Sequence, residues 1–274
     1  MYTLQSRGRL LVLDKPKVMG ILNLTPDSFY KQSRAATDQV VEMAGQMLEQ
    51  GATILDLGGQ SSRPGSERIC ADQEGERVWP ATEAVRAAFP DAWLSVDTYH
   101  AAVAEQAIRL GADIINDISA GDDDPEMLPL VAREQVPFIA MHKQGKPETM
   151  QQNPEYKDVT LEVLSYFREK KIQLESMGIY DWVLDPGFGF GKSLEHNYTL
   201  FQNLETFQLF DRPVLVGVSR KGMIQKVLGV DANHALNGTT ALHMAALMKK
   251  ASILRVHDVR EATECITLFL KLES

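Results

Sequence analysis

Three consecutive stretches, WLSVD (Trp93–Asp97), AAVAEQAIRLG (Ala101–Gly111) and IIND (Ile114–Asp117), carry the fold in their order. An apolar run ends on a carboxylate. An amphipathic stretch with helical spacing follows and is closed by a glycine, the residue that most readily adopts the left-handed cap. A second apolar run then ends on an amide and an acid. Runs this short, bounded by turn or helix signals, read as strands buried on both faces, the habit of parallel sheets. The same grammar extends outward in both directions, over Val18–Leu24, Thr53–Leu57, Trp93–Val96, Ile114–Ile118, Pro137–Met141, Trp182–Leu184, Val214–Val218 and Ile253–Val256. Between them Asp38–Gln50 reads as a helix with Thr37 as N-cap and Gly51 at its end, and Thr160–Met177 as another closed by Gly178. Strict alternation implies parallel strands with crossover helices, and eight units predict a (β/α)8 TIM barrel, with an open doubly wound sheet as the alternative. Met1–Lys15, with its own run Leu10–Leu13 after Arg7-Gly8, reads as a short N-terminal hairpin capping the barrel floor. With no low-complexity linker in view, one domain over residues 1–274 is expected.

Composition narrows the function. The chain has 274 residues, 44% of them hydrophobic, and a formal charge of -9. An acidic chain repels polyanions, so no nucleic acid is expected, and any anionic substrate must be held by local Arg and Lys. Cys70 and Cys265 are the two cysteines and have no metal-ligand spacing, which excludes a zinc site or disulfide framework and fits a reducing compartment. No apolar run approaches the roughly 18 residues of a membrane span, and the N-terminus carries no secretory segment, so a cytoplasmic protein without membrane partners is expected.

The residues that end the runs are polar in succession: Asn23; Asp56 with Gly58-Gly59; Asp97; Asn116 and Asp117; His142; Asp185; Ser219-Arg220-Lys221; Arg255, His257 and Asp258. Helix capping and solvent explain one or two such residues, but not a series. In a barrel they converge on one rim, where active sites sit. Asp97, Asn116 and Asp185 offer acceptors plus one amide, which suits a flat heterocycle with adjacent N–H groups such as a 2-amino-4-oxopyrimidine. Arg63, Arg220, Lys221, Arg255 and His257 offer cationic donors for phosphate or pyrophosphate. Two hydroxyl-rich loops, Thr25–Phe29 and Gln60–Ser66, follow the first two strands. In DPGFGFGKS (Asp185–Ser193) only three residues separate Gly187 from Gly191-Lys192, where a nucleotide P-loop needs four, and the phenylalanines suit an aromatic ligand wall. His142 reads equally as a site or core histidine, and His196 as a core or capping one.

Taken in order, MGILNLTPDSF, ILDLGGQSSRPG, SVDT, IINDISAG, MHKQGKPETMQ, LDPGFGFGK, LVGVSRKGM and ILRVHDV resemble the blocks of dihydropteroate synthase, the sulfonamide target of folate biosynthesis. The resemblance implies a transferase that joins 6-hydroxymethyl-7,8-dihydropterin diphosphate to 4-aminobenzoate and releases pyrophosphate with Mg²⁺, and a homodimer formed through helices of the C-terminal half. It implies that Asn23 contacts Mg²⁺. It implies that Asp97, Asn116, Asp185 and Lys221 bind the pterin with Arg255 against the ring, and that Ser62, Arg63, Arg255 and His257 meet the diphosphate. Phe29, Pro64 and Phe190 would wall the aminobenzoate site. Asp97, Asp185, Lys221 and Arg255 are the residues it implies for catalysis. Two positions depart from the family pattern: Lys31 stands where a loop carboxylate is common, and Gly222 where a serine often follows Ser-Arg-Lys. A pterin-binding methyltransferase module of the same fold, or a synthase-like binding protein without turnover, are the alternatives.

Overall fold

The eight apolar runs are eight parallel strands. The computed structural model describes residues 1–24, 34–60, 68–145 and 154–273, and for 34–36 the backbone alone. A hairpin of β1 (Tyr2–Ser6) and β2 (Arg9–Leu13) comes first. The barrel strands follow as β3 (Lys17–Asn23), β4 (Ile54–Gly58), β5 (Trp93–Asp97), β6 (Ile114–Asp117), β7 (Phe138–Met141), β8 (Trp182–Asp185), β9 (Leu215–Val216) and β10 (Ile253–Val256). Their order is β8-β7-β6-β5-β4-β3-β10-β9, parallel throughout. A single parallel bridge between Leu184 and Val214, with the Leu184 N–H donating to the Pro213 carbonyl at 2.9 Å, brings the two ends together. The result is the expected (β/α)8 barrel.

Helices α1 (Arg34–Glu49), α2 (Ala71–Ala88), α3 (Ala101–Arg109), α4 (Met127–Glu134), α5 (Val159–Ser176), α6 (Leu194–Gln202), α7 (Gly222–Leu228), α8 (Leu236–Met248) and α9 (Val259–Glu273) lie between and after the strands. The first helix differs from expectation. It begins at Arg34, so Thr37 lies inside it rather than capping it. The Arg34-Ala35-Ala36 segment has high helix propensity, which outweighs the cap preference of one threonine.

Strand pleating sorts the core into two parts. Outward side chains, among them Leu22, Leu55, Leu57, Leu94, Val96, Ile115, Leu184 and Val256, pack under the helices. Inward, each strand contributes one residue to a floor layer: Met19, Ile54, Trp93, Ile114, Ile139, Val183, Leu215 and Ile253. Leu4, Leu11 and Leu13 of the hairpin close that layer from below, as expected. Burying each leucine contributes about 1.5–3 kcal/mol, an upper bound because the unfolded chain is itself partly collapsed. The hairpin is also fixed by charge. Asp113, fully buried, accepts from Arg9 at 2.8 Å, from Arg86 at 2.6 Å and from the Leu94 N–H at 2.9 Å.

Candidate active site at the C-terminal rim

A strand presents every second side chain to the same face. Two residues above the floor layer lie Ile21, Asp56, Ser95, Asn116, Met141, Asp185 and Arg255, and one step higher Asn23 and Asp97. Alternation alone therefore sends these polar side chains into the barrel mouth. The register supports it: Asp97 pairs with Asn116, Met141 with Asp185 and Arg255 with Met19.

Arg255 organises one half of the site. Its Nε donates to Asp56 Oδ2 at 2.6 Å and an Nη to Asp97 Oδ2 at 2.7 Å. Asn116 Nδ2 also donates to Asp56 Oδ2, at 3.1 Å. Burial would push the guanidinium down, but Asp56 and Asp97 raise it above its ordinary value, so it stays charged. Burial pushes Asp97 up to about 7, with Arg255 pulling against it and Asp56 adding repulsion. Asp56 Oδ1 is buried and has no hydrogen-bond partner among the described residues.

Asp185 and Lys221 form the other half. Asp185 Oδ1 accepts from the Gly187 N–H at 2.8 Å, and burial raises its pKa while Lys221 lowers it. Lys221 Nζ donates to the Phe188 carbonyl at 2.6 Å and lies 4.7 Å from the centre of the Phe190 ring. Burial pushes its ammonium down to about 8. Phe190 is buried with Tyr99, Ile118 and Met141 in a small apolar cluster. His257 Nδ1 lies 3.0 Å from the Ser219 hydroxyl, which accepts the His257 N–H at 3.2 Å. Asn23 ends β3 beside Gly58. Beside Asp97, a recess lined by Gln60, Glu74, Thr98, Tyr99 and Ile118 holds a second buried acid. Glu74 Oε2 accepts from Thr98 at 2.8 Å, Oε1 has no partner, and burial pushes the group up to about 8.

The structure thus brings Asp97, Asn116 and Arg255 into one network, and ties Lys221 and Phe190 to the loop that follows Asp185. Phe29, Lys31, Ser62, Arg63 and Pro64 lie outside the described residues. Arg220 departs from its expected role. It donates to both oxygens of Asp258 at 2.8 Å and to the carbonyls of Ala232 and Asn233, so its charge is committed to structure rather than to phosphate. Arg220 has a backbone φ of 54°, and its guanidinium reaches Asp258, Ala232 and Asn233, while the next side chain, Lys221, reaches the Phe188 carbonyl. Asp117 likewise serves its own turn, accepting from Ser119 and Gly121. His142 is a core residue, 6% exposed, and His196 caps α6 in a box with Ser193. Asp56 was visible as a strand-end acid, but its place under Arg255 was not. Pleat parity, counted back from Gly58, is the signal that would have found it.

A family model described as pterin binding enzyme matches residues 19–257. A dihydropteroate synthase of Escherichia coli K12 is 44% identical over 264 residues, covering 95% of this chain and 93% of the relative. The chain belongs to the dihydropteroate synthase family of pterin-binding enzymes. Family membership makes it a transferase of folate biosynthesis. Solved dihydropteroate synthases share the whole architecture. The Yersinia pestis enzyme in a sulfonamide drug complex superimposes with a TM-score of 0.93 at 40% identity, covering 99% of each chain. The Xanthomonas albilineans enzyme with 4-aminobenzoic acid gives 0.91 at 36%, covering 99% of this chain and 98% of that one. The same-fold methyltransferase alternative finds no support in these relatives.

Proposed function

We propose that the rim binds 6-hydroxymethyl-7,8-dihydropterin diphosphate and 4-aminobenzoate and joins them, releasing pyrophosphate. The polar layer Asp56–Arg255–Asp97–Asn116, standing opposite Asp185 and Lys221, carries this reading. A pterin edge presents adjacent N–H groups and a carbonyl. Asp185, the open oxygen of Asp56 and Asp97 supply acceptors, Asn116 both donates and accepts, and Lys221 donates. The guanidinium of Arg255, held by two carboxylates, lies against the ring.

Departure of the diphosphate leaves positive charge on the pterin methylene. Asp97 and Asp185 offset that charge, while Arg63, Arg255, His257 and the Ser62 hydroxyl receive the leaving group. The amine of 4-aminobenzoate then attacks that methylene, forms the C–N bond and gives its proton to the released pyrophosphate. Phe29, Pro64 and Phe190 wall the aryl ring, and the carboxylate meets N–H groups at the start of α7, where Gly222 stands.

Mg²⁺ fits this site in one way. Among the described residues no cluster of three acids or histidines could hold an ion, and Asn23 ends β3 at the rim beside Gly58. Mg²⁺ keeps several waters and takes few protein oxygens beside substrate phosphates, and a carboxamide oxygen can be one of them. Asn23 would hold the ion, which when bound neutralises charge on the diphosphate.

Val227, Leu228, Met248, Leu268 and Leu272 on α7, α8 and α9 are exposed, which supports a homodimer formed through these helices. No described helix is long and apolar enough to cross a membrane. The test is pyrophosphate release from the complete mixture of pterin diphosphate, Mg²⁺ and 4-aminobenzoate, with each omitted in turn. No release from the complete mixture refutes the reading and identifies a binding protein without turnover.

A further inference from the structure

The glycine-rich run after Asp185 does not cradle a phosphate, and nothing above uses Lys192. This lysine is 2% exposed. Its ammonium lies 2.9 Å from the Gly187 carbonyl oxygen, 3.0 Å from His142 Nδ1, 3.2 Å from the Phe190 carbonyl and 3.4 Å from that of His142. An ammonium has three donors and no acceptor, so these groups saturate it. They belong to two segments, the end of β7 and the loop 186–191. Burial and the Lys192 charge push His142 down to about 2, so its ring is neutral. Burial pushes Lys192 itself down to about 7, with Asp185 holding it up, and toward the charged Nζ the His142 Nδ1 accepts while Nε2 carries the proton.

The loop is built for this contact. Gly187 and Gly191 have φ of 72° and 62°, and a Cβ on either would strike the backbone carbonyls of His142 and Gln144 respectively. The Tyr156 hydroxyl adds a 2.8 Å bond to the Gly191 carbonyl. The same few residues present the Phe190 ring and the Phe188 carbonyl that holds Lys221. None of Lys192's partners is a side chain assigned to substrate.

We propose that Lys192 is a positioning residue: its buried ammonium fastens the loop 186–191 onto the end of β7 and so fixes the Phe190 wall of the aminobenzoate site. Asp97 and Asn116 sit in strands and take no bond from this loop, whereas Asp185 and Lys221 each share one bond with it. The inference rests on the proposed reaction, and its test separates the two.

Lys192→Met keeps the length of the side chain and removes every donor, whereas Lys192→Gln keeps two. In the Met variant the KM for 4-aminobenzoate rises at least about tenfold, and by more than the Kd for pterin diphosphate, which loosens only through the loop's bonds to Asp185 and Lys221. The Gln variant falls between. A folded Met variant with both KM values within about twofold of wild type overturns the proposal, as does loss of kcat with unchanged KM. If the Met variant does not fold, the Gln variant decides: a raised KM for 4-aminobenzoate supports the proposal and a wild-type KM overturns it. Absence of turnover in wild type would refute the functional reading instead. Hydrogen exchange of the 187–191 amides then decides, faster in the Gln variant if Lys192 is the fastener and unchanged if it is not.

Discussion

Asp56→Asn probes the polar layer at its most buried point. The side chain has no solvent exposure, Oδ2 receives Arg255 Nε at 2.6 Å and Asn116 Nδ2 at 3.1 Å, and Oδ1 has no partner. Asparagine keeps the volume and one acceptor oxygen, so what is lost is charge. Hydrogen bonds to charged groups contribute about 1.5–3 kcal/mol against about 1 for neutral ones, so weakening the Arg255 bond costs about 1 kcal/mol. The new amide nitrogen lies where no acceptor stands, and a buried unsatisfied donor costs a further 1–3 kcal/mol or so. Together these lower stability by about 2–4 kcal/mol and Tm by roughly 4–16 °C. Binding suffers separately. If Oδ1 accepts a pterin N–H, losing that bond weakens the pterin diphosphate Kd by about 10–150-fold, at about 1.4 kcal/mol per decade. Scanning and titration calorimetry measure the two effects. A folded variant that binds within about threefold of wild type refutes the assignment of Oδ1 to the ring.

Asp113→Ala removes the acid that Arg9 and Arg86 share at the barrel floor. Both arginines are partly solvated, so the cost is near the low end of the buried-pair range, about 3 kcal/mol by denaturant unfolding, with pterin affinity unchanged. Glu74, raised to about 8 by burial, binds a proton in the fold that the unfolded chain releases at its ordinary carboxylate value. Between those values the folded state holds more protons, so stability falls as pH rises. Glu74→Gln should flatten that slope and melt higher than wild type at pH ~8, and identical Tm–pH curves would contradict this. A Cβ at Gly222 meets nothing within 4 Å among the described residues, so Gly222→Ser folds normally. Its hydroxyl adds a donor for a carboxylate, and tighter 4-aminobenzoate and sulfonamide binding by calorimetry is the expected outcome.

The two arginines at adjacent strand ends show where reading a sequence stops. Arg220 and Arg255 look alike as polar residues closing an apolar run. Arg255 lies inside a strand, so pleating alone turns it into the mouth. Arg220 lies four residues past the end of its strand, in a left-handed turn, and Asp258, Ala232 and Asn233 hold its guanidinium. No spacing rule predicts which of two cations is neutralised by a partner 38 residues away. Lys192 is a similar case. Its motif was legible as not a P-loop, but one of its partners, His142, stands just past β7, 50 residues earlier.

The sequence by itself determined the eight strands, the hairpin below them and the polar residues at the rim. Parallel strands buried on both faces must be apolar along their length, so a polar residue at the C-terminal end stands out against them. Tertiary structure decided what each polar group is for. Asp56 and Asp97 divide one guanidinium, Asp117 and Arg220 serve their own turns, and Lys192 serves a loop. Those assignments depend on distances between segments far apart in the chain and on which charge reaches a buried partner first, and neither is encoded in local pattern.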